Sequence, residues 1–158
     1  MTIDSVNKVL EFAGLLNDGA NHGCAYEFVK LPAAATLGDA LALHFGSLVD
    51  GRTKQPHRAR DWHIGVVPMA GTARDALRSV VDRWVFATHC SPEVGPRRAW
   101  VRENVVSFVV GEILAVVGEN PCVDEVHTRP PTWYEGTWQD VALSSAQAHW
   151  LLHFGISD

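Results

Sequence analysis

The chain has 158 residues, of which 47% are apolar and 20% charged, and its formal net charge is −5. This length predicts a single globular domain over residues 1–158, and the composition excludes a disordered or fibrous protein. The most apolar segment, Val105–Val117, is too short to cross a bilayer, and the N-terminus lacks the pattern of a secretory peptide. We therefore expect no membrane insertion and a cytoplasmic location. Three widely spaced cysteines without a CxxC pair favour free thiols.

Charge is distributed unevenly along the chain. Residues 1–50 hold 2 basic and 6 acidic groups, and residues 51–102 hold 10 basic and 4 acidic groups. Residues 103–158 hold 1 basic and 8 acidic groups. A strongly acidic C-terminal third favours a positively charged partner over an acidic one.

The N-terminal third predicts a helix, a strand and a second helix. Apolar residues recur on one helical face over about Asp4–Leu16, and alternation predicts a strand over Cys24–Leu31. The second helix begins after Thr36, whose hydroxyl can cap the helix while Asp39 reaches back as a capping box.

The basic middle predicts a loop, a short strand and the best-defined helix. Residues 51–61 have no hydrophobic period and read as an exposed loop, and Trp62–Pro68 is a short strand. Thr72 and Asp75 repeat the capping-box spacing at the start of the next helix. Its apolar stripe includes Trp84, which we expect to be buried.

The C-terminal half predicts one long helix and then strands. Helical spacing of the apolar residues favours a helix over Pro96–Val117. Strands are expected over Thr132–Trp138, Val141–Ser144 and His149–Ile156, joined as a β-meander. The sequence therefore predicts an α+β fold, with helices packed on one face of a mostly antiparallel sheet.

Catalytic and metal-binding motifs are absent from the sequence. His149 and His153 would lie about 13 Å apart along a strand, too far to share one ion, so we predict no metal site and no cofactor. An enzyme remains the alternative, hydrolase-like or metal-dependent, with a site assembled from residues distant in sequence. Its candidate residues are His22, Cys24, Glu135, His149 and His153.

A basic cluster in the predicted loop is the only feature that suits nucleic acid. It combines Arg52, Lys54, Arg58 and Arg60 with the neighbouring Trp62. The chain has a pI of about 5.9 and no nucleic-acid-binding motif, so nucleic acid is not the expected partner.

The acidic C-terminal third carries the predicted binding site. Aromatic rings and carboxylates alternate there on predicted strands, which suits capture of a basic protein because rings anchor a partner and charges steer it. The predicted binding residues are Trp133, Tyr134, Glu135, Trp138 and Asp140.

The end of the chain resembles a known group of proteins. Trp150-Leu151-Leu152-His153-Phe154-Gly155-Ile156-Ser157-Asp158, with the upstream Trp133-Tyr134-Glu135, is similar to the closing strands of small bacterial immunity proteins. The resemblance implies a non-enzymatic protein that binds and neutralises a cognate toxin, with a basic toxin domain as the expected partner. Sequence alone predicts no oligomeric state.

Overall fold

An antiparallel sheet forms the centre of the fold. The structure is a computed structural model that describes residues 2–17, 23–49, 54–56, 58–87, 96–118, 120–131 and 134–157. In chain order its strands are β1 (Gly23–Lys30), β2 (His63–Pro68), β3 (Cys122–Arg129), β4 (Thr137–Ser144) and β5 (His149–Ser157). Across the sheet their order is β1-β5-β4-β3-β2, so that β4 is central and β1 and β2 are the edges.

Three helices cover one face of this sheet. They are α1 (Ile3–Asn17), α3 (Ala73–Asp82) and α4 (Pro96–Val117). Their apolar stripes pack in one cluster with alternate strand residues such as Phe28, Leu143 and Leu152. Trp84 lies in the π-helical turn after α3 and is buried in this cluster, as the sequence predicted. Most of the hydrophobic core is therefore on the side of α1, α3 and α4.

A fourth helix, α2 (Leu37–Ser47), packs on the opposite face. Its residues Leu41 and Phe45 form a second, smaller cluster with Trp62, Ala142 and Leu151. The predicted α+β class is thus confirmed, and the placement of the helices is refined to three on one face and one on the other. Since β5 is covered on both faces, its side chains from Trp150 to Ile156 are all buried.

Local capping signals fix the starts of two helices as the sequence predicted. The Thr36 side chain accepts a hydrogen bond from the Asp39 N–H, and Thr72 with Asp75 forms a complete capping box. The long helix over Pro96–Val117 is also confirmed. These interactions lie within one helical turn, which is why sequence could locate them.

The C-terminal strands differ from the prediction in their bounds. A meander is present, but its first strand is β3, which the sequence analysis missed. Residues 134–136 form a loop rather than a strand, while the predicted Val141–Ser144 is the second half of β4. Backbone pairing continues from Thr137, which is opposite Ile156, to Ser144, which is opposite His149.

Candidate functional site

Four of the five predicted binding residues converge around His153. Tyr134 and Glu135 lie in the loop before β4, and Trp138 and Asp140 point from β4 to the α2 face. Trp133 lies outside the described residues. The structure therefore brings these side chains together, although it does not place all of them at the surface.

Asp140 and His153 form a buried pair across neighbouring strands. The two residues are directly opposite in the register of β4 and β5, and Asp140 Oδ1 lies 2.8 Å from His153 Nδ1. Asp140 is 0% exposed and His153 is 9% exposed. The predicted role of Asp140 as a steering charge at the surface is wrong, because a carboxylate so deeply buried cannot act at an interface rim.

Glu135 approaches the other side of the His153 ring. A Cβ built on Gly155 would lie 2.7 Å from His153 Nε2 and 3.0 Å from Glu135 Cδ, so both groups crowd above this glycine. Burial raises the pKa of Glu135, while His153 and a hydrogen bond with Ser157 oppose that shift. Glu135 Oε2 is buried without a hydrogen-bond partner in the described residues, which accounts for desolvation as the main cause of the raised pKa.

Tyr134 closes the cluster with an aromatic contact network. Its ring meets the rings of Phe45, Trp62 and Trp138 edge-on, and its hydroxyl lies 3.5 Å from His153 Nδ1. Burial raises the pKa of Tyr134, and the neighbouring Asp140 carboxylate adds to the increase. The ring that was predicted to anchor a partner is therefore mainly part of the second core.

Two further titratable residues face this cluster. His44 projects from α2, and burial lowers its pKa although the carboxylates of Asp140 and Glu27 oppose the decrease. Glu27 is opposite His153 in the register of β1 and β5. A row of carboxylate, imidazole and carboxylate therefore runs across three strands under α2. Sequence gave no signal for His44, because its position depends on where α2 packs.

The hydrogen bond between Asp140 and His153 orients the imidazole ring. Asp140 can fix the His153 tautomer with Nδ1 protonated, which leaves Nε2 facing Glu135. Surface cavities of about 670, 370 and 340 Å³ are present, and none is lined by Asp140, His153 or Glu135. Among the described residues no group of three or more His, Cys, Asp or Glu side chains could hold a metal ion. These features suit a structural polar network.

The remaining sequence candidates are dispersed. His22 lies outside the described residues, Cys24 packs against the larger core from β1, and His149 Nδ1 lies 2.8 Å from Ser144 Oγ. Of the candidates that the structure describes, Glu135 and His153 lie together, while Cys24 and His149 have other surroundings.

The aromatic residue beside the basic loop is buried and is not exposed for stacking on a base. Trp62 is buried against Phe45, with the two rings stacked at a centroid distance of 4.8 Å. Arg52 lies outside the described residues, while Lys54, Arg58 and Arg60 are exposed. An indole buried in this way is not available to a nucleic-acid base.

An apolar surface is exposed on the outer side of the helices instead. We call it the helix-layer surface and define it by side chains from two helices that pack on each other, α1 and α4. These exposed side chains are Phe12, Leu15, Trp100, Val101 and Phe108. Trp100 is 68% exposed and Phe108 is 53% exposed, which is unusual for large aromatic residues.

Charges on α1 and α4 are mixed in sign. Arg102 and Glu103 are already engaged with α3, through ion pairs with Asp82 and Arg78 respectively. The other charged side chains described on α1 and α4 are Asp4, Lys8, Glu11 and Glu112, and the sequence of α4 also includes Arg97 and Arg98. Among the described side chains this leaves three carboxylates and one ammonium group without a partner on α3.

No protein-family model matches the chain, and no curated protein matches it at a significant level.

No helix in the described part of the chain is long and apolar enough to cross a membrane.

Proposed function

We propose that this chain is a non-enzymatic protein-binding domain that docks its partner on the helix-layer surface. The observation that carries the proposal is that α4 exposes large apolar side chains on the side that faces away from the core. Val106, Val110 and Ile113 face the core, while Trp100 and Phe108 face outward. Large apolar side chains exposed together on a surface mark protein contacts.

The partner we propose is a basic protein, and more narrowly a bacterial toxin domain. The carboxylates of Asp4, Glu11 and Glu112 would attract a positively charged surface as it approaches. An exposed tryptophan is also among the residues that most often dominate binding energy when a partner buries them. The resemblance of the closing residues to immunity proteins supports the narrower proposal that binding neutralises the toxin.

The test is kinetic binding to any toxin domain found encoded beside this gene, measured at low and high salt. Trp100→Ala should speed dissociation and weaken binding by about thirtyfold or more, since an anchoring ring contributes about 2 kcal/mol. Because Trp100 is mostly exposed, this variant should fold as stably as the parent. Glu11→Lys and Glu112→Lys should instead slow association and reduce its salt dependence.

Matched control variants distinguish the helix-layer surface from the binding residues that the sequence predicted. Val67→Ala changes an exposed apolar residue on β2 and should bind like the parent. Glu135→Lys tests the binding site predicted from the sequence, which includes Trp133, Tyr134 and Trp138. If Glu135→Lys weakens binding and Trp100→Ala does not, the contact lies on that face and the helix-layer surface is excluded. If the parent does not bind the toxin domain or protect cells that express it, the immunity proposal fails.

A further inference from the structure

The outer edge of β2 presents backbone groups that the sheet does not use. The Met69 N–H donates to the Val123 C=O, so β2 and β3 form hydrogen-bonded pairs at every second residue from that point. The alternation leaves the N–H and C=O groups of Ile64 and Val66 pointing away from β3. Within the part of the chain that the structure describes, no hydrogen bond reaches these four groups.

Pro68 fits this assignment of the outer edge. It is opposite Asp124, at a position whose backbone nitrogen also points away from β3. Proline is tolerated in a sheet where its missing N–H would have faced outward from an edge strand. The position of Pro68 therefore supports the direction of the free groups at Ile64 and Val66.

The opposite edge of the sheet is blocked at Phe28 by a side chain. At β1, the Asn7 Nδ2 donates to the Phe28 C=O at 2.9 Å, and the Phe28 N–H donates to Asn7 Oδ1 at 2.7 Å. An asparagine amide thus takes the place of a neighbouring strand. Exposed edges invite pairing with another chain, and proteins usually block them. The block at β1 and its absence at Ile64 and Val66 make β2 the edge available for strand addition.

Charges at the two ends of β2 are opposite in sign. Arg60 and Arg129 lie near its N-terminal end, and Asp124 and Glu125 pair with its C-terminal end. Two copies of β2 in antiparallel orientation would bring the basic end of one near the acidic end of the other. These groups would be separated by more than one strand spacing, so they would orient the approaching copies rather than form direct ion pairs.

We propose that two copies of this chain associate through β2 and form one continuous antiparallel sheet. Ile64 of one copy pairs with Val66 of the other, so that Gly65 meets Gly65 on the two-fold axis. Each pair of residues exchanges two backbone hydrogen bonds, and all four free groups of each copy are then used. Val66, which is 38% exposed, is covered by the same contact. This association is independent of the proposed partner site, because it uses another part of the molecule.

Val66→Pro is the sharpest variant, since it removes an outward N–H that the intramolecular ladder does not use. Sedimentation velocity over a range that reaches millimolar protein should show a dimer for the parent. Val66→Pro should weaken that dimer by about tenfold or more, because two intermolecular hydrogen bonds are lost. The control is Val101→Lys on the helix-layer surface, which should dimerise like the parent while it weakens toxin binding.

Amide exchange of the unmodified protein provides a second measurement that does not depend on folding of a variant. The N–H groups of Ile64 and Val66 should exchange slowly in concentrated samples and rapidly in dilute ones, whereas the Gly65 and Val67 amides should not change. High salt should shift the dimer toward monomer. A parent that stays monomeric at all concentrations would overturn the proposal, as would a dimer in which Ile64 and Val66 remain unprotected. Loss of toxin binding alone would leave the dimer unaffected, so the two proposals fail separately.

Discussion

Removing His153 should destabilise the protein more than removing His153 and Asp140 together. In the structure Asp140 is fully buried, with one oxygen bonded to His153 and with Oδ2 unpartnered among the described residues. His153→Leu would leave this carboxylate buried without its main partner, which costs about 3–5 kcal/mol of the free energy of unfolding. The double variant Asp140→Leu/His153→Leu replaces the pair by apolar groups, which is often neutral or stabilising.

Asp140→Leu alone leaves an imidazole without its acceptor, which costs about 1–3 kcal/mol. A thermodynamic cycle built from urea unfolding of the parent, both single variants and the double variant then gives the coupling between the two residues. We expect the double variant to be more stable than His153→Leu, with a coupling of at least about 2 kcal/mol. Single-variant costs that add to within about 0.5 kcal/mol would refute the assignment of a coupled buried pair.

Three further predictions concern the core and the His153 cluster. Trp84→Ala should lower the free energy of unfolding by about 3–5 kcal/mol, because the ring stacks on Phe154 and its Nε1 donates to Gln139. An unchanged melting temperature would contradict this prediction. Gly155→Ala should cost about 1–3 kcal/mol by forcing His153 and Glu135 apart, as urea unfolding would show. Because burial raises the pKa of Glu135, its stabilising contribution is present below its unfolded pKa of about 4.3 and is lost as pH rises through the folded pKa. Stability of the parent relative to Glu135→Gln should therefore fall from pH 4 to pH 7, and the opposite slope would contradict the sign of the shift.

The helices were predictable because their signals are local. Capping contacts at Thr36 and Thr72 span three residues, and the apolar period of the long helix extends over its whole length. β3 was missed because it carries Asp124 and Glu125 in its middle, which interrupts the alternation expected of a strand. These carboxylates are tolerated because β3 is only partly covered, and that depends on tertiary packing.

The location of Asp140 was missed for a related reason. A turn around Ala146 and Gln147 joins β4 to β5, and pairing outward from it places Asp140 opposite His153. The predicted strands Thr132–Trp138 and Val141–Ser144 left Asp140 between them, so its position opposite His153 could not be derived. A polar residue at a buried strand position can be recognised from sequence only when its cross-strand partner is known, because that partner supplies the hydrogen bond that its burial requires.

The division of the sheet into two faces determines which surfaces remain for partners. The α2 face is filled by the aromatic cluster around Tyr134 and by the buried pair of Asp140 and His153, which bond to each other. The other face is covered by three helices, whose outer side still exposes Trp100. The edge of β2 lies across the sheet from β1, against which α1 packs. Partner binding at the helix-layer surface and strand addition at β2 would thus use separate residues, and the effects of Trp100→Ala and Val66→Pro on the two associations should be independent.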